Sequence, residues 1–105
     1  MDATSIGVSG LNAMTAGVAV NANNVANVNT KDFKAKRLDF EDRVQGGVQP
    51  ATLRESPEPT TPEGSNVDLA TEFTSIATQA DTYKANSRVL QAQKEMLGTV
   101  LDLKA

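Results

Sequence analysis

The sequence lacks the residues that small proteins most often use to reinforce a fold or to catalyse a reaction. Its 105 residues include no cysteine and no histidine, so disulfides and the usual zinc ligands are not available. The same absence removes the commonest general base and the thiol nucleophile, which leaves carboxylates and lysines as the candidates for catalysis. We therefore predict no enzymatic activity, no catalytic residue, no metal site and no cofactor.

Aromatic side chains are also scarce, and the complete set is Phe33, Phe40, Phe73 and Tyr83. A chain of this length forms one small domain, and a single core would leave much of its surface unburied. A partner chain can cover apolar faces that the chain cannot cover itself. The composition therefore favours a subunit of an assembly.

Charge is absent from the N-terminal segment, where every residue between Asp2 and Lys31 is neutral. Ser, Thr and Asn interrupt this segment too often for a membrane span of about 20 apolar residues. It also lacks the positive region and the unbroken apolar run of a cleavable signal peptide. The net charge of −3 argues against nucleic acid as a partner, and nothing in the sequence indicates a small-molecule substrate.

Residues 1–30 are predicted to form a helix with two distinct faces. At 100° per residue, one face is an apolar stripe of Leu11, Met14, Val18, Ala22 and Val25. A second stripe consists mainly of small residues, Ile6, Gly10, Ala13, Gly17 and Val20. Glycine costs a helix interior about 1 kcal/mol relative to alanine. These glycines therefore favour a close contact with another helix, although an ordinary amphipathic helix with a broad buried face remains an alternative.

Residues 66–105 carry the 3.5-residue repeat of a left-handed coiled coil. The repeat runs through Leu69, Phe73, Ile76, Ala80, Tyr83, Ser87, Leu90, Lys94, Leu97, Leu101 and Lys104. Ser65 or Asn66 is expected to cap the start of this helix. A second apolar stripe lies only in the C-terminal half, at Val89, Met96, Val100 and Leu103. One side can therefore contact the N-terminal helix and the other a neighbouring subunit.

Residues 31–65 are predicted to form a short β-hairpin or an extended connection. Gly46 and Gly47, flanked by Val-Gln on each side, suit a two-residue turn that would place Phe40 opposite Leu53. The proline-rich stretch that follows indicates an extended linker, with plain disorder as the alternative. The predicted fold is therefore mainly α, with long N- and C-terminal helices forming a coiled-coil-like pair around a short middle segment.

The segment SGLNAMTAGVAVNANNVANVNTKDFKAKR, residues 9–37, resembles the N-terminal signature of the bacterial flagellar rod and hook axial proteins. The matching positions are Asn23, Asn24, Ala26, Asn27, Thr30 and Phe33. Asp32 stands where the family usually has glycine, and aspartate is among the few other residues that tolerate a left-handed turn. The C-terminal segment is similar to the family's closing helix, with matches at Asn66, Val67, Tyr83, Asn86, Met96 and Leu97.

The resemblance implies a structural subunit of the flagellar basal-body rod, whose terminal helices form the inner layer of a helical tube that transmits torque and encloses the export channel. It implies copies of the chain and other rod proteins as partners, with membrane-ring and export-gate components as further candidates. It also implies a location in the periplasm-spanning rod, reached by type III export without a cleaved signal peptide. The expected helix–helix assembly interface comprises Leu11, Met14, Val18, Val25, Leu69, Phe73, Ile76, Tyr83, Leu90, Leu97 and Leu101.

The short middle segment indicates which axial subunit the chain resembles, because the resemblance implies large insertions at this place in hook and distal-rod members. It favours a proximal-rod subunit. Two alternatives stay open: a divergent accessory axial protein of the hook or distal-rod kind, and a free-standing coiled-coil adaptor. The asparagine signature argues against the adaptor, which has no need of that pattern.

Overall fold

The computed structural model describes residues 2–104, which form two long helices and a hairpin. The elements in chain order are α1 (Ala3–Ala26), β1 (Lys36–Asp42), β2 (Val48–Glu55) and α2 (Leu69–Lys104). Strands β1 and β2 pair antiparallel as a two-stranded sheet. The molecule is elongated, with extents of 68 × 25 × 13 Å. The predicted mainly α fold, with a packed helix pair and a short hairpin between its helices in the chain, is confirmed.

Helix α1 begins with a side-chain cap and ends within the asparagine-rich segment. The Asp2 carboxylate accepts a 2.7 Å hydrogen bond from the backbone N–H of Ser5, and this bond lowers the pKa of Asp2. At the other end, the side chain of Asn27 donates to the carbonyl of Asn23 at 2.9 Å. Thr30 then donates its hydroxyl to Asn27 Oδ1 at 3.1 Å. The helix therefore ends in a turn whose polar groups bond to one another.

Helix α2 begins later than the sequence suggested. The Asp68 carboxylate accepts hydrogen bonds from the backbone N–H groups of Ala70 and Thr71, so Asp68 is the N-cap. The prediction that Ser65 or Asn66 caps the helix was wrong, because both side chains bond to other parts of the connecting segment. The helix has 36 residues, which corresponds to about 54 Å at 1.5 Å per residue.

The hairpin turn is longer than the predicted two residues. Gly46 and Gly47 do take positive φ values, 99° and 87°, but Asp42 pairs with Val48, so that the turn spans residues 43–47. A bulge next to Phe40 changes the register again, and Phe40 pairs with Pro50 while Leu53 pairs with Leu38. The predicted pairing of Phe40 with Leu53 was therefore wrong. A proline is tolerated at a bulge, where a ladder hydrogen bond is already lost.

An ion pair joins the two strands on the exposed side of the hairpin. The Arg54 guanidinium donates two hydrogen bonds to the Asp39 carboxylate. These bonds lower the pKa of Asp39 and raise that of Arg54. Because the pKa of Asp39 is depressed in the folded chain, the contribution of this pair is present at neutral pH and is lost as the pH falls through the folded-state pKa.

The two helices pack antiparallel through the small residues of α1. Gly10, Ala13 and Gly17 are buried, as predicted for a close helix contact. We call this contact between α1 and α2 the seam. Its neighbouring pairs are Gly7 with Leu90, Gly10 with Asn86, and Gly17 with Gln79. A Cβ atom at Gly17 would lie 2.7 Å from Gln79 Nε2, and one at Gly7 would lie 2.7 Å from Leu90 Cδ2. These glycines therefore leave room for the ends of the Leu90, Asn86 and Gln79 side chains.

The hairpin lies along α1. Its base is next to the C-terminal end of α1, where Asn24 bonds to Lys36. Its turn is next to the N-terminal half, where the buried hydroxyl of Ser9 accepts a 3.1 Å hydrogen bond from the backbone N–H of Val48. Both ends of the hairpin are therefore attached to the same helix.

By length and composition, α1 could also cross a membrane. It has 24 residues, and the mean hydropathy of its most apolar window reaches 1.2. A core helix of a water-soluble protein and an N-terminal signal sequence reach the same values, so this is weak evidence. The close contact of α1 with α2 and the hairpin favours a helix that packs within protein.

Asp32 occupies the left-handed conformation that the sequence comparison suggested, with φ at 63°. Its backbone N–H donates to the carbonyl of Gly64 at 3.0 Å, which joins the exit of α1 to the segment before α2. This conformation costs most L-residues about 1–2 kcal/mol, aspartate less, and glycine very little.

Replacing Asp32 by glycine should therefore leave the chain equally stable or stabilise it by up to about 1 kcal/mol, because glycine adopts this φ without strain. Asp32→Val should destabilise it by about 1–2 kcal/mol, because a β-branched residue is a true outlier there. Thermal unfolding followed by circular dichroism at one chain concentration would measure both. Equal stability of the valine and glycine variants would contradict the left-handed turn.

The seam predicts opposite changes in the free energy of unfolding when Gly17 in α1 and Gly98 in α2 are each replaced by glutamine. Gly17→Gln should lower the free energy of unfolding by about 1–3 kcal/mol, because the new side chain overfills the contact with Gln79. Gly98→Gln should raise it by up to about 1 kcal/mol through helix propensity, since no described atom lies within 4 Å of a Cβ there. Thermal unfolding would compare the two. A higher stability of Gly17→Gln than of Gly98→Gln would contradict the close contact of Gly17 with α2.

Candidate assembly interface

A buried carboxylate lies where α1, β1 and α2 meet. Glu72, in the first turn of α2, has no exposed surface. Its Oε2 accepts hydrogen bonds from the side-chain amides of Asn21 at 2.6 Å and Asn24 at 3.0 Å. Its Oε1 accepts one from Arg37 Nη1 at 3.2 Å, and the Arg37 side chain is 38% exposed. The carboxylate is therefore paired with a cation and bonded to two amides.

Asn24 connects this carboxylate to the hairpin backbone. The residue is fully buried. Its Oδ1 accepts from the backbone N–H of Lys36 at 2.9 Å, and its Nδ2 donates to the carbonyl of Lys36 at 2.8 Å. The side-chain amide therefore pairs with both polar groups of one residue, as a neighbouring strand would. Asn24 holds the first residue of β1 against the end of α1.

Asn66 makes the corresponding connection on the other side of the hairpin. Its Oδ1 accepts from the backbone N–H of Ala35 at 2.6 Å, and its Nδ2 donates to the carbonyl of Glu58 at 2.8 Å. The buried hydroxyl of Ser65 donates to the carbonyl of Val28 at 2.7 Å. The segment before α2 is therefore attached to the exit of α1 and to the residue before β1, while most of residues 57–63 are exposed.

We name this arrangement of Asn21, Asn24, Arg37 and Glu72 the polar cluster. Its amide and carboxylate groups bond to one another, to the Arg37 guanidinium or to the backbone of Lys36. Among the described residues, no group of three or more acidic side chains is placed to hold a metal ion. The arrangement can fix the relative positions of three elements, and this is a structural task.

The face of α2 that packs against α1 is polar. Glu72, Gln79, Asn86 and Gln93 recur every seven residues and lie along the seam with α1. Within residues 2–104, the buried Oε1 atoms of Gln79 and Gln93 accept no hydrogen bond from another group of the chain. The contact between the helices is close but buries few large apolar side chains.

The two predicted apolar stripes converge beside this seam and not within it. They form an open groove with a cavity volume of about 290 Å³. We call it the helix groove, and its lining residues are Met14, Thr15 and Val18 from α1 and Gln79, Ala80, Tyr83 and Lys84 from α2. Met14 and Val18 are half-buried, and Tyr83 is 42% exposed. Met14, Val18 and Tyr83 of the expected interface are therefore brought together on one surface.

The other residues of the expected assembly interface differ in exposure. Leu11, Val25, Ile76 and Leu90 are half-buried, and Leu90 touches the seam at Gly7. The exposed members are Leu69, Phe73, Leu97 and Leu101. Their exposure in a single chain leaves them available to a second one, and their place in an interface stays a prediction.

The signature residues divide between the polar cluster and the exit of α1. Asn24 belongs to the cluster, while Asn27 and Thr30 bond to each other and Phe33 donates its N–H to the carbonyl of Thr30. Asn23 and Ala26 are exposed. No site role was predicted from the sequence for Asn21, Arg37 or Glu72. The seven-residue recurrence of polar side chains that begins at Glu72 was the signal for Glu72, since it faces the small-residue stripe.

Comparison with known proteins agrees with this architecture at both ends of the chain. Residues 62–103 match the family model described as flagellar basal body rod FlgEFG protein C-terminal. Residues 5–34 match the model described as flagella basal body rod protein. The matched ranges contain most of both helices and the exit of α1, and so include the helix groove and three members of the polar cluster, Asn21, Asn24 and Glu72, but not Arg37.

A curated relative extends the match through the hairpin. The flagellar basal-body rod protein FlgG of Buchnera aphidicola subsp. Baizongia pistaciae (strain Bp) is 33% identical over 91 residues, which are 87% of this chain and 34% of that protein. The chain therefore spans about a third of the length of this relative. Together with the two family models, the match confirms the resemblance, and the chain belongs to the flagellar basal-body rod protein family.

The polar cluster predicts a large effect from one truncation. Glu72→Ala should lower the free energy of unfolding by about 3 kcal/mol, because it leaves two amides and a guanidinium without their acceptor. Glu95→Ala, on an exposed part of the same helix, should change it by no more than about 0.5 kcal/mol. Urea unfolding at a fixed chain concentration would measure both. Similar losses in the two variants would show that the cluster does not hold the fold together.

Proposed function

We propose that the chain is a structural subunit of the flagellar basal-body rod, of the proximal-rod kind, and that it assembles through both terminal helices into a helical tube. The tube is proposed to transmit torque and to enclose the export channel. The proposed partners are copies of the chain and other rod proteins, with membrane-ring and export-gate components as further candidates. The proposed location is the periplasm-spanning rod, reached by export without a cleaved signal peptide. The proposal includes no enzymatic activity.

The observation that supports this proposal most directly is the apolar surface at the far end of α2. Gly7 lies beside Leu90 and α1 begins at Ala3, so the helix pair ends about four residues beyond Leu90. We call residues 94–104 the C-terminal overhang. It exposes large apolar side chains on two sides: Met96 (67%), Leu97 (61%), Val100 (49%), Leu101 (59%) and Leu103 (83%). Covering such surface is favourable by about 25 cal/mol per Å².

The distribution of polar and apolar contacts supports assembly as the purpose of this surface. The contacts within the chain are mainly polar, at the polar cluster and along the seam, whereas many of the largest apolar side chains are exposed. A free-standing protein would be expected to bury these side chains in its own core. A subunit that is surrounded by other chains can keep them for intermolecular contacts.

The polar cluster also supports a role that requires stiffness. The hairpin is attached to α1 at both ends, through Ser9 and Asn24, and to α2 through the ion pair of Arg37 with Glu72. A torque-transmitting subunit needs its parts in fixed relative positions. The short hairpin adds little material outside the helix pair, which favours the proximal-rod position over one with a large outer domain.

The test compares two aspartate substitutions in α2 in motile cells, one within the overhang and one just before it. Leu97→Asp should prevent incorporation into basal bodies and abolish swimming, because a carboxylate would be buried in an apolar interface at several kcal/mol. Gln91→Asp is the matched control, because Gln91 is exposed and lies off the heptad positions. Both substitutions add one negative charge, and only the first removes a leucine from the repeat.

Quantitative detection of the chain in purified basal bodies would be combined with swimming and export assays. Leu97 is 61% exposed in the single chain, so Leu97→Asp should leave its circular dichroism spectrum unchanged. The proposal would fail if the wild-type chain were absent from basal bodies. It would also fail if the Leu97 variant swam normally while the Gln91 variant did not.

A further inference from the structure

The seam between α1 and α2 follows a seven-residue repeat on both helices. Positions 10, 17 and 24 of α1 face positions 86, 79 and 72 of α2, in the pairs Gly10 with Asn86, Gly17 with Gln79, and Asn24 with Glu72. Each heptad step along α1 is therefore matched by one heptad step back along α2. The first two pairs are of the same kind, since each places a side-chain amide against a glycine.

A shift of α2 by one heptad would preserve these amide contacts. Seven residues at 1.5 Å each correspond to about 10.5 Å. If α2 moved this far toward its own N-terminus, Asn86 would lie against Gly17, and Gln93 against Gly10. Within residues 2–104, the Oε1 atoms of Gln79 and Gln93 accept no hydrogen bond. No bond to these two acceptors therefore opposes the shift.

The apolar part of the seam would be preserved by the same shift. Leu90 lies beside Gly7, and Leu97 follows Leu90 by one heptad in the sequence. After the shift, Leu97 would lie beside Gly7, so that a leucine would again face this glycine. Leu97, which is 61% exposed in the observed register, would then be partly covered by α1 of its own chain.

The shifted helix would also have a capping residue at its start. The N-cap of α2 is Asp68. Ser75 follows it by one heptad, and serine is a favoured N-cap residue. The segment before α2 could therefore keep its bonds to the exit of α1, while residues 69–75 leave the helix and lengthen the connection. The loss of these two helical turns favours the observed register.

The carboxylate of Glu72 is the feature that most clearly distinguishes the two registers. In the observed register it accepts hydrogen bonds from Asn21 and Asn24 and pairs with Arg37. In the shifted register the uncharged side chain of Gln79 would take its place, and the Arg37 guanidinium would lose its carboxylate partner. A single buried polar side chain can fix the register of a helix pair, as asparagine does in coiled coils.

We propose that the helix pair has two registers one heptad apart, and that Glu72 is the positioning residue that selects the observed one. The register also sets the length of the C-terminal overhang, because the shift brings residues 94–100 alongside α1. The free end of α2 is then reduced to residues 101–104. This inference concerns the helix pair itself and does not rest on the proposed function.

The test exchanges the two side chains that distinguish the registers. In the double variant Glu72→Gln with Gln79→Glu, the carboxylate meets the other members of the polar cluster only after the shift, while composition and net charge stay the same. The exchange should therefore move the full-length chain into the shifted register. Glu95→Gln with Gln45→Glu is the matched control, because it exchanges the same residue types at two exposed positions.

Cysteine cross-linking can report the register, because the chain has no cysteine of its own. Thr15 and Lys84 line the same groove, so Thr15→Cys with Lys84→Cys marks the observed register. Gln91 is exposed and follows Lys84 by one heptad, so Thr15→Cys with Gln91→Cys marks the shifted one. Both chains would be treated with a short bis-maleimide reagent at low chain concentration, and the links within one chain would be measured by mass spectrometry.

The ratio of the 15–91 link to the 15–84 link should rise at least about tenfold in the exchange variant and stay unchanged in the control. A tenfold rise corresponds to about 1.4 kcal/mol between the registers. Glu72→Gln alone should give an intermediate ratio, because neither register then places a carboxylate in the polar cluster.

Three results would overturn the inference. The first is a predominant 15–84 link in the exchange variant, and the second is an equal ratio in the exchange variant and the control. The third is the loss of both links together with loss of the helical circular dichroism signal, since the shifted register would then not be a folded state.

Discussion

The buried carboxylate of Glu72 is the interaction on which the arrangement of the other elements depends. It receives hydrogen bonds from α1 and an ion pair from the start of the hairpin, while it belongs itself to the first turn of α2. A buried, unpaired carboxylate is strongly unfavourable, so these three elements must meet in one geometry. Asn24 extends this constraint to the backbone of Lys36. A small chain without cysteine or histidine thereby obtains a defined shape from polar contacts.

The fold could largely be predicted from the sequence because its signals are periodic. The heptad repeat of α2 and the small-residue stripe of α1 indicate long helices and a close contact, and paired glycines indicate a hairpin. The hairpin register could not be predicted, because a five-residue turn and a bulge next to Phe40 leave no trace in the alternation of residue types. The cap of α2 was misassigned because Ser65, Asn66 and Asp68 are all good capping residues, and tertiary bonds decide among them.

The candidate site was harder to predict, since apolar periodicity indicates which residues are hydrophobic but not what covers them. Met14, Val18 and Tyr83 line a groove instead of the seam, and the seam itself uses Gln79 and Asn86. Polar side chains at a coiled-coil contact are easily mistaken for solvent-facing positions. The opposing glycines show that Gln79 and Asn86 lie at the contact, because a helix without side chains on one face can accept amide groups at short distance.

The polar seam has a kinetic consequence for the proposed assembly. Because the contact between α1 and α2 buries few large apolar groups, most of the free energy that orders the C-terminal end of α2 would be released only when a second copy arrives. Polymers of this kind show a critical concentration and a slow nucleation phase, since the first few copies lack a completed binding surface. Growth at an end that already exists would then be faster than the start of new filaments elsewhere.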